Sequence, residues 1–132
     1  MELFSEYFKN LNIEDDFKFA YLVGAYSKAI IDSSYYSEIS KQNETFKKWL
    51  SNRQLIKSNL IKIFNKANEF ERKLKLESSR NSDLSELITS NYNENANLRN
   101  SEVSFYFLRG FNDYKKFKQQ YPSKGVNDDS KA

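Results

Sequence analysis

Carboxylates, lysines and tyrosines are the side chains left for proton or metal chemistry in this sequence, because it contains no histidine and no cysteine. Their absence excludes Ser-His-Asp and Cys-His nucleophiles, imidazole bases and every metal site with His or Cys ligands. Two acidic pairs remain, Asp15–Asp16 and Asp128–Asp129. The first lies where a helix is predicted to begin, which the helix dipole favours, and the second lies in a predicted tail. We therefore expect a protein that is not an enzyme and that carries no metal and no cofactor.

Basic residues are concentrated in the middle of the chain. Residues 41–75 hold ten basic and three acidic residues, a net charge of +7, although the whole chain carries only +3. Residues 1–16 carry a net charge of −4. A cationic surface can contact a nucleic-acid backbone without reading bases. The candidate nucleic-acid-binding residues are Lys47, Lys48, Arg53, Lys57, Lys62, Lys66 and Lys73.

The same residues allow less specific interpretations. A helical bundle needs a solvated face, and lysines on helices usually provide one. Tyr35, Tyr36 and Trp49 could stack on unpaired bases. A lone tryptophan next to Phe46 and Leu50, however, is more often part of the core.

The chain is predicted to be helical almost throughout, since its apolar residues recur at spacings of three and four and it contains one proline. The polar stretch from residue 77 to residue 100 is expected to hold only one short helical patch, around Leu87. Helices are expected at residues 1–11, 13–33, 44–50, 58–75 and 101–121.

The expected fold is all-α, an antiparallel helical bundle of four to five helices. A chain of 132 residues is long enough for one core and not for two. Residues 1–121 form the predicted single domain. Residues 122–132, PSKGVNDDSKA, begin with the proline that ends the last helix and have the composition of a flexible, disordered tail.

No targeting or membrane segment is visible in the sequence. It has no apolar stretch of about 20 residues that could span a bilayer, and its start, MELFSEYFKN, lacks the basic and apolar regions of a secretion signal. Because cysteine is also absent, we expect a cytoplasmic protein without a membrane partner.

Two of the three glycines lie inside predicted helices, where glycine costs about 1 kcal/mol relative to alanine. Gly24 and Gly110 have similar surroundings, AYLVGAYSK and FYFLRGFNDY. A glycine on a buried helix face lets another backbone approach closely, so the two helices are predicted to cross at these residues, with Tyr21 and Phe107 in the crossing core. The alternative is that each glycine only avoids a clash with an unrelated aromatic side chain.

Three segments together resemble a known family. They are the helix with an aromatic-Leu-x-Gly core (YLVG), the middle segment FKKWLSNRQLIKSNLIKIFNKANEF, and the last helix, which opens with Ser-Glu and continues FYFLRGF. Over most of residues 13–121, the pattern resembles the carboxy-terminal helical domain of the large subunit of type I-B CRISPR Cascade complexes. A free-standing version of this domain is similar to the separate small subunit of such complexes, which in this family can be made from an internal start within the large-subunit gene.

The resemblance implies a non-catalytic architectural protein in antiviral defence. In Cascade, small subunits stack in more than one copy along the guide-RNA filament and help to hold target-strand and displaced-strand DNA in the R-loop. The implied partners are the large and backbone subunits, further copies of the chain, guide RNA, and single-stranded target DNA bound without sequence preference. The residues that match the pattern belong to packing and do not identify the nucleic-acid contacts. They are Tyr21, Leu22, Gly24, Glu102, Phe105, Tyr106, Phe107 and Gly110.

Two other functions stay open from the residues alone. A helical adaptor or structural protein with no nucleic-acid role would use the basic residues to bind an acidic protein partner. A carboxylate-dependent nuclease would need several acids around a divalent metal, and acids are scarce in residues 41–75.

Overall fold

The structure, a computed structural model, describes residues 2–34 and 45–122. This part of the chain contains helices and no strand, so the predicted all-α bundle is confirmed. The predicted tail beyond Pro122 lies outside the described residues, as do Tyr35, Tyr36 and the Asp128–Asp129 pair. The described helices are α1 (Phe4–Phe8), α2 (Asp15–Ser34), α3 (Phe46–Ser51), α4 (Lys57–Lys73), α5 (Ser79–Asn91) and α6 (Asn100–Gln120).

Helix α2 is the central helix of the bundle. Every residue from Phe19 to Ser27 is buried, so the helix has no solvent-facing side over more than two turns. Most side chains of this stretch are apolar, and they lie on every side of the helix, so other helices can pack around it. Helices α4, α5 and α6 all lie against α2.

Helices α2 and α6 form the most extensive helix pair of the fold and run in the same direction, which departs from the antiparallel arrangement expected for the bundle. Near the start of the pair, Phe17 stacks on Tyr106 with ring centroids 4.4 Å apart. Near its end, the Lys118 ammonium lies 3.1 Å from a carboxylate oxygen of Asp32. Because three helices separate α2 from α6 along the chain, the polypeptide can return to the same end of the bundle before α6 begins.

Helices α4 and α5 are neighbours along the chain and run antiparallel. The side-chain amide of Asn68, late in α4, donates to the hydroxyl of Ser85 in α5 at 3.4 Å. Lys57, at the start of α4, reaches the carbonyl of Ala96, which follows α5. Only residues 74–78 connect the two helices, and such a short connection favours antiparallel neighbours.

Helix α5 is a complete helix of 13 residues, where the sequence predicted only a short patch. Ser78 caps it by accepting a 3.1 Å hydrogen bond from the backbone N–H of Asn81. The side chain of Asn81 is buried and donates to the carbonyl of Leu76 at 2.8 Å, while Leu84 and Ile88 are fully buried. The polar sequence does not predict this helix because some of its polar side chains are used inside the fold. With α5, the described residues form six helices, where four to five were expected.

Buried side chains from all six helices form one hydrophobic cluster. Even the five-residue helix α1 contributes, since Phe4 has no exposed surface and packs against the rings of Tyr21, Tyr114 and Phe117. Across residues 2–34 and 45–122, no helix has the length and apolar character needed to cross a bilayer.

Candidate nucleic-acid interface

Helices α2 and α6 touch backbone to backbone at their two glycines. A Cβ atom on Gly24 would overlap the carbonyl oxygen of Phe107, and one on Gly110 would overlap the carbonyl oxygen of Tyr21. Since the blocking atoms are backbone, no side-chain rotation could relieve either overlap. The two glycines therefore set the distance between α2 and α6, with Tyr21 and Phe107 buried at the crossing.

The crossing also holds a polar contact between the two helices. The Tyr21 hydroxyl donates a 2.8 Å hydrogen bond to Asp113, whose carboxylate also faces Arg109 at 3.7 Å. Burial raises the pKa of Tyr21, and the hydrogen bond to Asp113 raises it further, so the phenol stays a neutral donor. This contact links α6 to α2 at the crossing.

A cationic surface forms where α3 packs on α4. Thr45 caps α3 by accepting a 3.1 Å hydrogen bond from the backbone N–H of Lys48. The guanidinium of Arg53, just after α3, lies 4.2 Å from the ring centroid of Trp49, and the ammonium of Lys66 on α4 lies 5.8 Å from the same ring. We call this the α3–α4 surface; its cationic residues are Arg53, Lys62, Lys66 and Lys73, and Lys47 and Lys48 are exposed on α3.

Three lysines of this surface lie on one side of α4. At about 100° per residue, Lys62, Lys66 and Lys73 project within about 40° of one another and extend over about 16 Å of the helix axis. Lys66 and Lys73 both lie over the ring of Phe70, at 5.8 and 5.5 Å. The aromatic rings beneath these cations hold them in position without neutralising their charge.

The acids of α4 leave most of this positive charge in place. Glu71 is buried and accepts a hydrogen bond from the hydroxyl of Tyr26 on α2. Burial and the hydrogen bond raise the pKa of Tyr26, which keeps that hydroxyl protonated. Glu69 is exposed and lies 3.5 Å from Lys66. Within α3 and α4, Glu69 is therefore the one carboxylate on the surface.

Lys57 is placed away from the other candidate residues. It lies on the opposite side of α4, where its ammonium donates to the carbonyl of Ala96 at 2.6 Å. The sequence grouped it with the other lysines because it belongs to the same basic segment, but its angular position on the helix differs from that of Lys62 by about 140°. The structure thus places four of the seven candidate residues together, Arg53, Lys62, Lys66 and Lys73, while Lys47 and Lys48 are exposed on α3.

Trp49 is not an open stacking platform. Its ring is half-buried, stacks near that of Phe46 with centroids 6.0 Å apart, and carries the guanidinium of Arg53. An exposed aromatic ring is found instead at Tyr92, after α5, which the sequence analysis did not select. A tyrosine inside the polar stretch NYNENAN was the available signal, because that stretch offers few apolar partners to bury it.

The described residues contain no group of three or more acidic side chains placed to hold a metal ion. Asp15 and Asp16 begin α2, as expected from the helix dipole. Asp15 is largely exposed and lies 2.8 Å from Lys18. The acids at this position therefore fit a role in starting the helix.

Comparison with known proteins gives no match. No protein-family model matches the sequence, and neither a curated protein nor a solved structure is significantly similar to the chain. Its function is therefore inferred from the surfaces described above and from the sequence pattern around α2 and α6.

Proposed function

We propose that the protein is a non-catalytic architectural small subunit of a CRISPR RNA-guided surveillance complex in the cytoplasm. In this role it stacks along the guide-RNA filament and stabilises target-strand or displaced-strand DNA in the R-loop by nonspecific backbone contacts. The observation that carries the strand-binding part is the α3–α4 surface, on which Arg53 and lysines of α4 lie together and Glu69 is the one carboxylate that α3 and α4 expose. The sequence resemblance supports the identity of the complex.

The shape of the α3–α4 surface suits a phosphate backbone. Lys62, Lys66 and Lys73 form a row about 16 Å long, which is long enough to face more than one phosphate of a single strand. Positioned cations of this kind neutralise phosphates and release counterions, so binding falls as salt rises. A single copy with a net charge of +3 binds weakly, but several copies in a row add their surfaces into one continuous groove.

The start of the chain carries charge of the opposite sign and is assigned to protein neighbours. Glu6, Glu14 and Asp15 are exposed there, so a nucleic-acid strand is repelled from this end of the molecule. Charge reversal by Glu2→Lys, Glu6→Lys and Glu14→Lys should therefore weaken assembly with the other subunits. Unchanged assembly of that variant would remove this part of the proposal.

Reconstitution tests the proposed function directly. The chain is expressed with the other subunits of a type I-B complex and a guide RNA, without any native small subunit, and the particle is isolated by size exclusion. We expect stoichiometric incorporation and tighter binding of target DNA than the particle lacking the chain achieves. If the chain stays outside the particle, the architectural role is wrong.

A helical adaptor is the second candidate, because the α3–α4 surface also fits an acidic protein partner. Positioned lysines and Arg53 bind carboxylates as readily as phosphates. Competition separates the two functions: single-stranded DNA and a polyglutamate peptide are each titrated against the chain at the same ionic strength. Preference for polyglutamate would favour the adaptor.

A further inference from the structure

A groove of about 610 Å³ lies beside the start of α4, on the side away from Lys66. The buried ring of Phe19 on α2 lines it, together with the first turn of α4 and the segment that connects α5 to α6. Its volume is within the range of small-molecule sites, about 300–1,000 Å³. The groove is therefore larger than one protein side chain needs and large enough for a nucleotide.

Two exposed apolar side chains line this groove. Tyr92 is 47% exposed and Ile61 is 42% exposed, and they are two of the four large hydrophobic residues with this degree of exposure in the described chain. The ring of Tyr92 meets the ring of Phe19 edge to face, with centroids 5.0 Å apart. Phe19 thus holds the ring of Tyr92 at the groove, and nearly half of Tyr92 remains accessible for stacking.

Polar groups complete the groove. Lys57 lines it, and its ammonium is held by the 2.6 Å hydrogen bond to the Ala96 carbonyl. Asn93 and Asn100 add side-chain amides; their oxygens accept hydrogen bonds from the backbone N–H groups of Asn95 and Lys57, and their NH2 groups can donate to the edge of a base. Glu94 is the one acid among the lining residues. Apolar surface beside amides and one lysine suits a base attached to a phosphate better than it suits an aliphatic side chain.

The groove adjoins the row of lysines on α4. Ser58 lines the groove, and Lys62 lies one turn further along the same helix, about 6 Å away along its axis and about 40° around it. A strand that follows Lys73, Lys66 and Lys62 therefore reaches the groove at Ser58 by turning around the start of α4. This continuity favours a base of that same strand as the occupant over a segment of an unrelated protein.

We propose that this groove accepts one unpaired nucleobase of the single strand whose phosphates contact the α3–α4 surface. Tyr92 stacks on the base, Ile61 packs against it, and Lys57 faces the adjoining phosphate. This inference rests on the proposed strand-binding function and adds a base-stacking site, formed by α2, α4 and the α5–α6 connection, to its backbone contacts. Every base has a π face, so the site accepts all four bases without reading sequence.

Oligonucleotides with and without bases test this proposal. Fluorescence anisotropy at low salt measures the affinity of the full chain for homothymidine and for a strand of the same length made of abasic residues, which keeps the phosphates. Tyr92→Ala should weaken homothymidine binding about fivefold or more, because stacking contributes about 1–3 kcal/mol per base. The abasic strand should bind Tyr92→Ala and the unchanged chain equally. Phe105→Ala, which removes an exposed ring on α6, is the matched control and should change neither affinity.

A second variant separates stacking from folding. Tyr92→Leu keeps an apolar contact with Phe19 but has no aromatic face, so it should lose homothymidine affinity as Tyr92→Ala does while keeping its helical circular dichroism. Two outcomes would overturn the groove site and leave the proposed function standing. In the first, Tyr92→Leu loses equal affinity for both strands. In the second, it loses affinity for neither strand, while charge reversal of Lys62, Lys66 and Lys73 lowers the affinity for both. If the unchanged chain binds neither strand at low salt, the groove site and the strand-binding function are both wrong.

Discussion

The glycine crossing predicts that adding one methyl group to α6 destabilises the whole fold. In Gly110→Ala the new Cβ would overlap the carbonyl of Tyr21, so α2 and α6 have to separate by more than about 1 Å, which forfeits roughly half or more of the dispersion energy at each contact between them. Overpacking against atoms that can move costs about 1–3 kcal/mol. Because the atoms that Gly110→Ala would meet belong to the backbone, we expect a cost at the upper end of this range. The better helix propensity of alanine returns about 1 kcal/mol. We therefore expect a net loss of about 2 kcal/mol or more.

Urea unfolding followed by circular dichroism measures this loss. With a slope of about 1–2 kcal/mol/M, the midpoint of Gly110→Ala should fall by about 1–2 M. Asn112→Ala, at an exposed position of the same helix, is the matched control and should raise the midpoint slightly, because it has only the propensity effect. The double variant Gly24→Ala/Gly110→Ala should cost less than the sum of the two single changes, since one separation of the helices relieves both overlaps. An unchanged or higher midpoint for Gly110→Ala would show that the backbones do not meet at the glycines.

Three further outcomes are expected. Lys62→Glu, Lys66→Glu and Lys73→Glu together should lower the affinity for single-stranded DNA about tenfold or more. They should also reduce the slope of log affinity against log salt by about 2. The control replaces Lys9, Lys115 and Lys116 by glutamate. It makes the same change in net charge and should have a much smaller effect in the same titration. Burial raises the pKa of Tyr114 to about 12; because the unfolded value is about 10, the stability gained by keeping this phenol neutral is complete below pH 10 and is lost as pH rises from about 10 to 12. The pKa values of Tyr21 and Tyr26 are raised as well, so the urea midpoint of Tyr114→Phe should fall less over this range than that of the unchanged chain. Phe4→Ala should cost about 3–5 kcal/mol, because Phe4 is fully buried, whereas Phe105→Ala should stay within about 0.5 kcal/mol in the same unfolding assay.

Local sequence signals were sufficient for most of the helices. The period of the apolar residues predicted α2, α4 and α6 to within a few residues, because each of these helices carries enough apolar side chains to show its period. Helix α5 was underestimated for the opposite reason. Several of its polar residues are buried or bonded inside the fold, as Asn81 is, so its composition resembles that of a loop.

The candidate surface could be predicted only in part. The charge of residues 41–75 indicated a cationic face, and the angular spacing of Lys62, Lys66 and Lys73 placed these three together, since both depend on one helix alone. The position of Arg53 and Lys66 around Trp49 depends on how α3 docks on α4. The separation of Lys57 from this group, and the inward orientation of Glu71 toward Tyr26, depend on which side of α4 meets α2 and α5.

The sequence by itself determined the helical class of this protein, the location of its positive charge and the two places where a helix lacks side-chain bulk. These properties follow from residue type and from spacing along a single helix. Tertiary structure alone decided that α2 and α6 run in the same direction, that Gly24 and Gly110 each meet the partner backbone, and that Tyr92 stays exposed beside a groove. The physical reason is that these features join residues far apart in the chain, and such contacts are selected by packing of the whole core rather than by local preference.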